Sequence, residues 1–149
     1  MTATPPAAVV DALNSLLEAE KNSIFAFMNE GSLYLQNTPE PLRHELQTMS
    51  STKHRHARET KDLIRHLGGR PTVGPGEPDE PMVEFLSLKF LLPKLVDAKK
   101  LCMQRYQNTI KTISPAPDDV NAVLKSHLNE MEGELKLLES EEHKVNHKH

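Results

Sequence analysis

The sequence has few of the features that mark secreted, membrane-bound or nucleic-acid-binding proteins. Its 149 residues include one cysteine, Cys102, so no disulfide can form within the chain, which fits a reducing compartment. The formal net charge of −3 favours neither nucleic acid nor an anionic membrane as a partner. The N-terminal "MTATPPAAVV" has neither the basic region nor the apolar core of a signal peptide. We therefore expect a cytoplasmic protein.

Long apolar runs are also lacking. The most apolar stretch, "FLSLKFLLPKLV", carries Lys89 and Lys94, so we expect no membrane span. No stretch alternates apolar and polar residues for long enough to predict a strand. Apolar residues instead recur every three or four positions, which is typical of helices with one buried face.

Four segments follow this helical spacing, and we predict one helix for each. Thr38 is expected to N-cap the second helix with Pro39 at its first helical position, and Gly68-Gly69 to end it. Pro93 is expected to bend the third helix. The predicted helices run from Pro5-Pro6 to Tyr34, from Thr38 to Leu67, from Pro81 to Ile113, and from the end of "SPAPDD" through Leu138. The bundle is predicted to occupy residues 1–142, and the polar tail 143–149 is expected to fray.

The connection between the second and third helices predicts the topology. The stretch "GGRPTVGPGEPDEP" contains four prolines and four glycines, so it cannot be helical. Fourteen extended residues span roughly 46 Å, and a helix of about 28 residues is roughly 42 Å long. The connection can therefore cross the whole bundle and make these helices parallel, although a floppy loop is the alternative. Four helices with one long crossover form the ferritin-like all-α bundle.

Charged side chains interrupt the apolar stripes of all four helices near their centres. Any one of them could be a polar residue that reaches outward near a bundle end. Four helices that each place a charge near mid-length are more consistent with a polar site inside the bundle. These candidates are Glu20, Lys53, His56, Lys94, His127 and Glu134, with Asp97 close by.

Four segments, "LNSLLEAEKNSIFAF", "HRHARETKDLIRHLGG", "LVDAKKL" and "HLNEMEGELKLLE", resemble the corresponding helices of bacterioferritin. The resemblance covers residues 8 to 142 and implies a di-iron centre held by Glu and Glu-x-x-His ligands. The implied positions are Glu20 on the first helix, Lys53 and His56 on the second, Lys94 on the third, and Met131 and Glu134 on the fourth. A shift of one residue would put Glu130 and Gly133 on the fourth helix instead.

Lysines at two of these positions predict a degenerate iron site. Glu20 and Glu134 balance the charges of Lys53 and Lys94 without metal, and a charged ammonium has no lone pair for iron. We therefore expect a non-catalytic protein of iron or haem handling. The alternative is a ferroxidase or iron-storage subunit that binds iron through Glu20, His56 and Glu134.

His54 lies about 200° around the second helix from His56, so the two imidazoles face opposite ways. At this position the resemblance implies a haem ligand shared by two subunits across a two-fold axis. Imidazole is a competent axial ligand, and Ile24, Phe25 and Met28 are predicted to supply an apolar wall. A solvated histidine is the alternative. The resemblance also implies a homodimer and allows co-assembly with an iron-competent subunit.

Overall fold

A computed structural model describes residues 4–21, 25, 38–72 and 88–146 of the chain. These residues form four α-helices and, within the described ranges, no strand. The all-α prediction is therefore confirmed. The helices are α1 (Pro6–Lys21), α2 (Glu40–His66), α3 (Leu88–Thr112) and α4 (Asp118–Asn146).

The beginning and end of α2 are fixed by proline and glycine. The helix begins at Glu40 and its N-cap is Pro39, with no side-chain cap hydrogen bond, so the prediction of Thr38 as N-cap is one residue early. At the other end, Gly68 has a φ of +84°, the left-handed conformation that glycine adopts without steric cost. The amides of Gly68 and Gly69 donate to the carbonyls of Arg65 and Ile64, which completes a Schellman motif.

The other helix boundaries partly follow the predicted ones. The predicted continuation of the first helix to Tyr34 and the predicted start of the third at Pro81 lie largely outside the described residues. Pro93 lies inside α3, as its position predicts. In α4 the helix continues to Asn146, so residues 143–146, which we expected to fray, belong to it.

Two apolar clusters occupy opposite ends of the bundle. One contains residues from the starts of α2 and α3 and from the end of α4. The other contains the start of α1, the ends of α2 and α3, and the start of α4. The starts of α2 and α3 lie in one cluster and the ends of both helices lie in the other, so the two helices run parallel. The connection between them therefore joins opposite ends of the bundle, as its length predicts.

Buried polar residues lie between these two apolar clusters. Glu20, Lys53, His56, Lys99 and His127 are each at most 6% exposed, so they are enclosed rather than directed outward. Among the described residues, no helix is both long enough and apolar enough to cross a membrane. The fold thus brings ionisable groups from all four helices into a buried central layer.

Candidate functional site at the bundle centre

The first part of the central layer is an ion pair between α1 and α2. The Lys53 ammonium lies 2.9 Å from Oε1 of Glu20, and both side chains are almost completely buried. Cys102 on α3 completes the group, because its thiol donates to Oε2 of Glu20 at 3.0 Å and lies 3.5 Å from the Lys53 ammonium. The two Glu20 oxygens are therefore both engaged.

Burial and ion pairing act in opposite directions on the pKa values of this pair. Burial raises the pKa of Glu20, but the Lys53 ammonium and the Cys102 thiol together bring that pKa below its ordinary value. Burial lowers the pKa of Lys53, but the Glu20 carboxylate and Cys102 together raise that pKa above its ordinary value. Each partner thus keeps the other charged in the interior.

The second part of the layer is an ion pair between α3 and α4. The Lys99 ammonium lies 2.8 Å from Oε1 of Glu134. It also lies 4.0 Å from the ring centroid of Phe25, a cation–π distance. Burial lowers the pKa of Lys99, and the nearby Lys53 ammonium lowers it further against the opposing effect of Glu134. The two ion pairs are therefore electrostatic neighbours.

The structure differs from the sequence prediction in the lysine that pairs with Glu134. The buried lysine that pairs with Glu134 is Lys99, whereas Lys94, one and a half turns earlier, is only half-buried. The helical spacing of α3 indicates that Lys99 is the buried lysine. The buried residues of this face follow one another at intervals of three and four: Leu92, Leu95, Lys99 and Cys102. The two ion pairs together contain two carboxylates and two lysine side chains.

The predicted residues of α2 and α4 are divided among three environments. His56 is buried, and its Nε2 lies 3.2 Å from Oε1 of Glu130, the residue of the alternative register. Met131 is fully buried among apolar residues. Glu134 points toward Lys99, so the structure does not gather Glu20, His56 and Glu134 around one point. Within the described ranges, no three His, Cys, Asp or Glu side chains form a group ready to hold a metal.

The residues predicted to form a haem site are only partly described. His54 is exposed on the outer side of α2. Phe25 is fully buried in an apolar cluster of the bundle, so its ring does not form a wall on the outer surface. Ile24 and Met28 lie outside the described residues.

Comparison with solved structures identifies the fold. The chain is similar to the bacterioferritin of Desulfovibrio desulfuricans, whose structure was solved with its diiron site in different catalytic states. The TM-score is 0.81 at 20% sequence identity, and the match covers 97% of this chain and 83% of the bacterioferritin chain. No protein-family model matches the sequence, and a search of curated proteins finds no match. The predicted resemblance to bacterioferritin is thus confirmed at the level of the fold, and the chain is a ferritin-like four-helix bundle.

Proposed function

We propose that this chain is a non-catalytic, ferritin-like subunit that acts in iron or haem handling in the cytoplasm. The observation that supports this proposal is the two ion pairs at the bundle centre, the buried pair of Glu20 with Lys53 and the part-buried pair of Glu134 with Lys99. They occupy the part of the ferritin fold where facing helices hold di-iron ligands in related proteins. Here the same central layer is neutral without metal.

The chemistry of the donors explains why iron would bind poorly. A charged ammonium offers hydrogen-bond donors and no lone pair, so neither Lys53 nor Lys99 can ligate ferrous iron. Both also repel a cation that approaches the carboxylates they contact. The residues at the bundle centre therefore do not fit a di-iron centre.

Iron oxidation separates this proposal from the alternative of a ferroxidase or storage subunit that uses Glu20, His56 and Glu134. Ferrous iron, as substrate, is added in stoichiometric amount to the protein in air, and ferric absorbance is followed with time. We expect oxidation no faster than in buffer. The Lys53→Glu, Lys99→Glu variant should bind divalent metal more tightly, because it replaces both ammonium groups by carboxylates. Rapid oxidation by the unmodified protein would contradict the proposal.

A second candidate function is haem binding between two copies of the chain. The exposed position of His54, on the opposite side of α2 from buried His56, favours it. Haem would supply an iron with two axial positions, one for the His54 imidazole of each subunit. The proposal includes a homodimer. It also allows co-assembly with an iron-competent subunit, which would leave this chain an accessory role.

A further inference from the structure

A buried tyrosine of α3 and a buried histidine of α4 share a hydrogen bond. The Tyr106 hydroxyl lies 3.0 Å from Nδ1 of His127, and the two residues are 2% and 0% exposed. The other ring nitrogen, Nε2, lies 2.7 Å from Oε1 of Glu59 on α2. We call Tyr106, His127 and Glu59 the relay, because they form one continuous chain of hydrogen bonds. The relay runs from the bundle interior to a carboxylate that is 40% exposed.

The directions of the two hydrogen bonds follow from the chemistry of the three groups. An ionised carboxylate only accepts, so Nε2 of His127 donates its proton to Glu59. This bond fixes the ring proton on Nε2 and leaves the lone pair of Nδ1 to accept the proton of the Tyr106 hydroxyl. The relay thus presents a base to a buried phenol.

Neighbouring side chains hold the relay in this arrangement. The ring of His56 stacks on that of His127, with the centroids 3.8 Å apart and the planes 16° apart. The Arg55 guanidinium lies 3.6 Å from Oε2 of Glu59, so both oxygens of this carboxylate are engaged. The imidazole is therefore oriented from its face and from both of its nitrogens.

Such an arrangement suits a tyrosine that undergoes one-electron oxidation. A phenol that loses an electron becomes a strong acid, so its radical forms readily only where a base takes up the proton. An electron can tunnel through the protein, whereas a proton moves only along a hydrogen bond. The separation of 3.0 Å between the Tyr106 hydroxyl and Nδ1 lies within the range of about 2.6–3.2 Å that proton transfer requires.

We propose that Tyr106 is a redox-active residue that gives one electron to a high-potential oxidant while its proton moves to His127. The oxidant is an external one-electron acceptor, a class that includes the species formed when iron reacts with peroxide. The O–H bond of Tyr106 breaks, an N–H bond forms at Nδ1 of His127, and the electron reduces the oxidant. The products are a neutral phenoxyl radical and an imidazolium beside the Glu59 carboxylate.

Glu59 is the positioning residue of the relay. Its carboxylate keeps the ring proton of His127 on Nε2 and lies next to the positive charge that the ring gains. The Arg55 guanidinium opposes this charge, but the Arg55 and Glu59 side chains are 39% and 40% exposed, so solvent screens its effect. Loss of the Glu59 charge should therefore slow the oxidation of Tyr106 without removing the base.

This inference goes beyond the proposed function. The relay includes neither ion pair of the bundle centre and needs no metal bound to the chain. Rapid iron oxidation by the unmodified protein would contradict the proposed function and leave the relay unaffected. Failure of the relay would leave the two ion pairs unaffected.

The test is flash oxidation by photogenerated tris(bipyridine)ruthenium(III), a one-electron oxidant. The sequence has no tryptophan and two tyrosines, so Tyr34→Phe leaves Tyr106 as the one tyrosine of the background protein. We expect the absorption and paramagnetic resonance spectra of a tyrosyl radical, formed about twofold more slowly in D₂O because a proton moves with the electron. Adding Tyr106→Phe should abolish these signals.

Two further variants in the same background test the base and its positioning residue. His127→Asn keeps an acceptor for the phenol but is no base, and should slow radical formation at least tenfold, since a positioned base contributes about 10²–10⁴-fold. Glu59→Gln removes the charge and should slow it at least threefold. The matched control is Asp62→Asn, which removes a carboxylate that is 76% exposed one turn further along α2, and should leave the rate unchanged.

Three results would overturn the proposal. They are the absence of a tyrosyl radical, a rate in His127→Asn within twofold of the background protein, and equal rates in Glu59→Gln and Asp62→Asn. Circular dichroism checks that each variant is folded. If His127→Asn does not fold, Glu59→Gln changes a side chain that is 40% exposed and decides the question by its rate and its ratio of rates in H₂O and D₂O.

Discussion

The ammonium of Lys53 and the carboxylate of Glu20 lie 2.9 Å apart, and neither side chain is more than 7% exposed. A buried charge that loses its partner keeps the desolvation penalty without the compensating attraction. The two residues are therefore energetically dependent on each other, even if the pair as a whole adds little to stability.

This dependence gives the first prediction. Lys53→Ala leaves Glu20 buried without the ammonium that pairs with it, so we expect it to lower the free energy of unfolding by about 3–5 kcal/mol. Urea denaturation measures the change. The double variant Glu20→Leu, Lys53→Met removes both charges and should recover most of the loss. Lys100→Ala, on the exposed side of α3, is the control. A loss below about 1 kcal/mol for Lys53→Ala would show that the ammonium is solvated.

The second prediction concerns the pH dependence of stability. The pKa of His56 is lowered from 6.5 to about 4 in the fold, mainly by burial and then by His127. The unfolded chain therefore takes up this proton first, and stability falls as pH falls from about 6.5 toward 4. From this group alone we expect a loss of about 2 kcal/mol between pH 7.5 and 5.0.

Urea denaturation at the two pH values checks this expectation. His56→Gln keeps a hydrogen-bond donor for Glu130 but cannot titrate, so it should lose about 2 kcal/mol less than the parent over this range. The exposed His54→Gln, on the same helix, is the matched control and should behave as the parent. If His56→Gln and the parent lose the same free energy of unfolding over this pH range, then the pKa of His56 is the same in the folded and unfolded chains.

The helices and the topology could be predicted from the sequence because they depend on periodicity and chain length. The glycines that end α2 carry their conformational signal locally, and the spacing of Leu13, Leu17 and Glu20 marks the buried face of α1 without tertiary information. The predicted pairing of Glu20 with a lysine followed from the need to balance buried charge.

The partner of Glu134 could not be predicted as easily, because two lysines of one helix compete for it. The resemblance to bacterioferritin implies Lys94, whereas packing buries Lys99, about 140° further around α3. To choose between the two lysines, one must know how α3 is oriented about its own axis. That orientation depends on the contacts of α3 with the other helices. The pairing of His56 with Glu130 and of His127 with Glu59 likewise depends on the axial register of α2 against α4.

The third prediction contrasts two glycines. A Cβ at Gly69 would lie 2.5 and 2.8 Å from the two γ-carbons of Val10, so Gly69→Ala should destabilise the protein by about 1–3 kcal/mol. At Gly133, inside α4, a Cβ meets nothing within 4 Å, so Gly133→Ala should stabilise it by up to about 1 kcal/mol through helix propensity. Thermal unfolding of both variants measures the contrast. A neutral or stabilising effect of Gly69→Ala would contradict the described approach of Val10 to the end of α2, and a destabilising Gly133→Ala would contradict the open space at Gly133.

The fourth prediction tests haem binding at His54. If His54 imidazoles of two chains ligate one iron, haemin titration should saturate at one haem per two chains with a low-spin, six-coordinate spectrum. His54→Ala removes the ligand from both subunits and should abolish that spectrum. His66→Ala, which removes another exposed histidine of α2, should leave the spectrum unchanged. Sedimentation of the loaded protein should give a dimer, because each haem then needs two chains. Unaltered haemin binding by His54→Ala, or a haem-loaded monomer, would leave His54 a solvated surface residue.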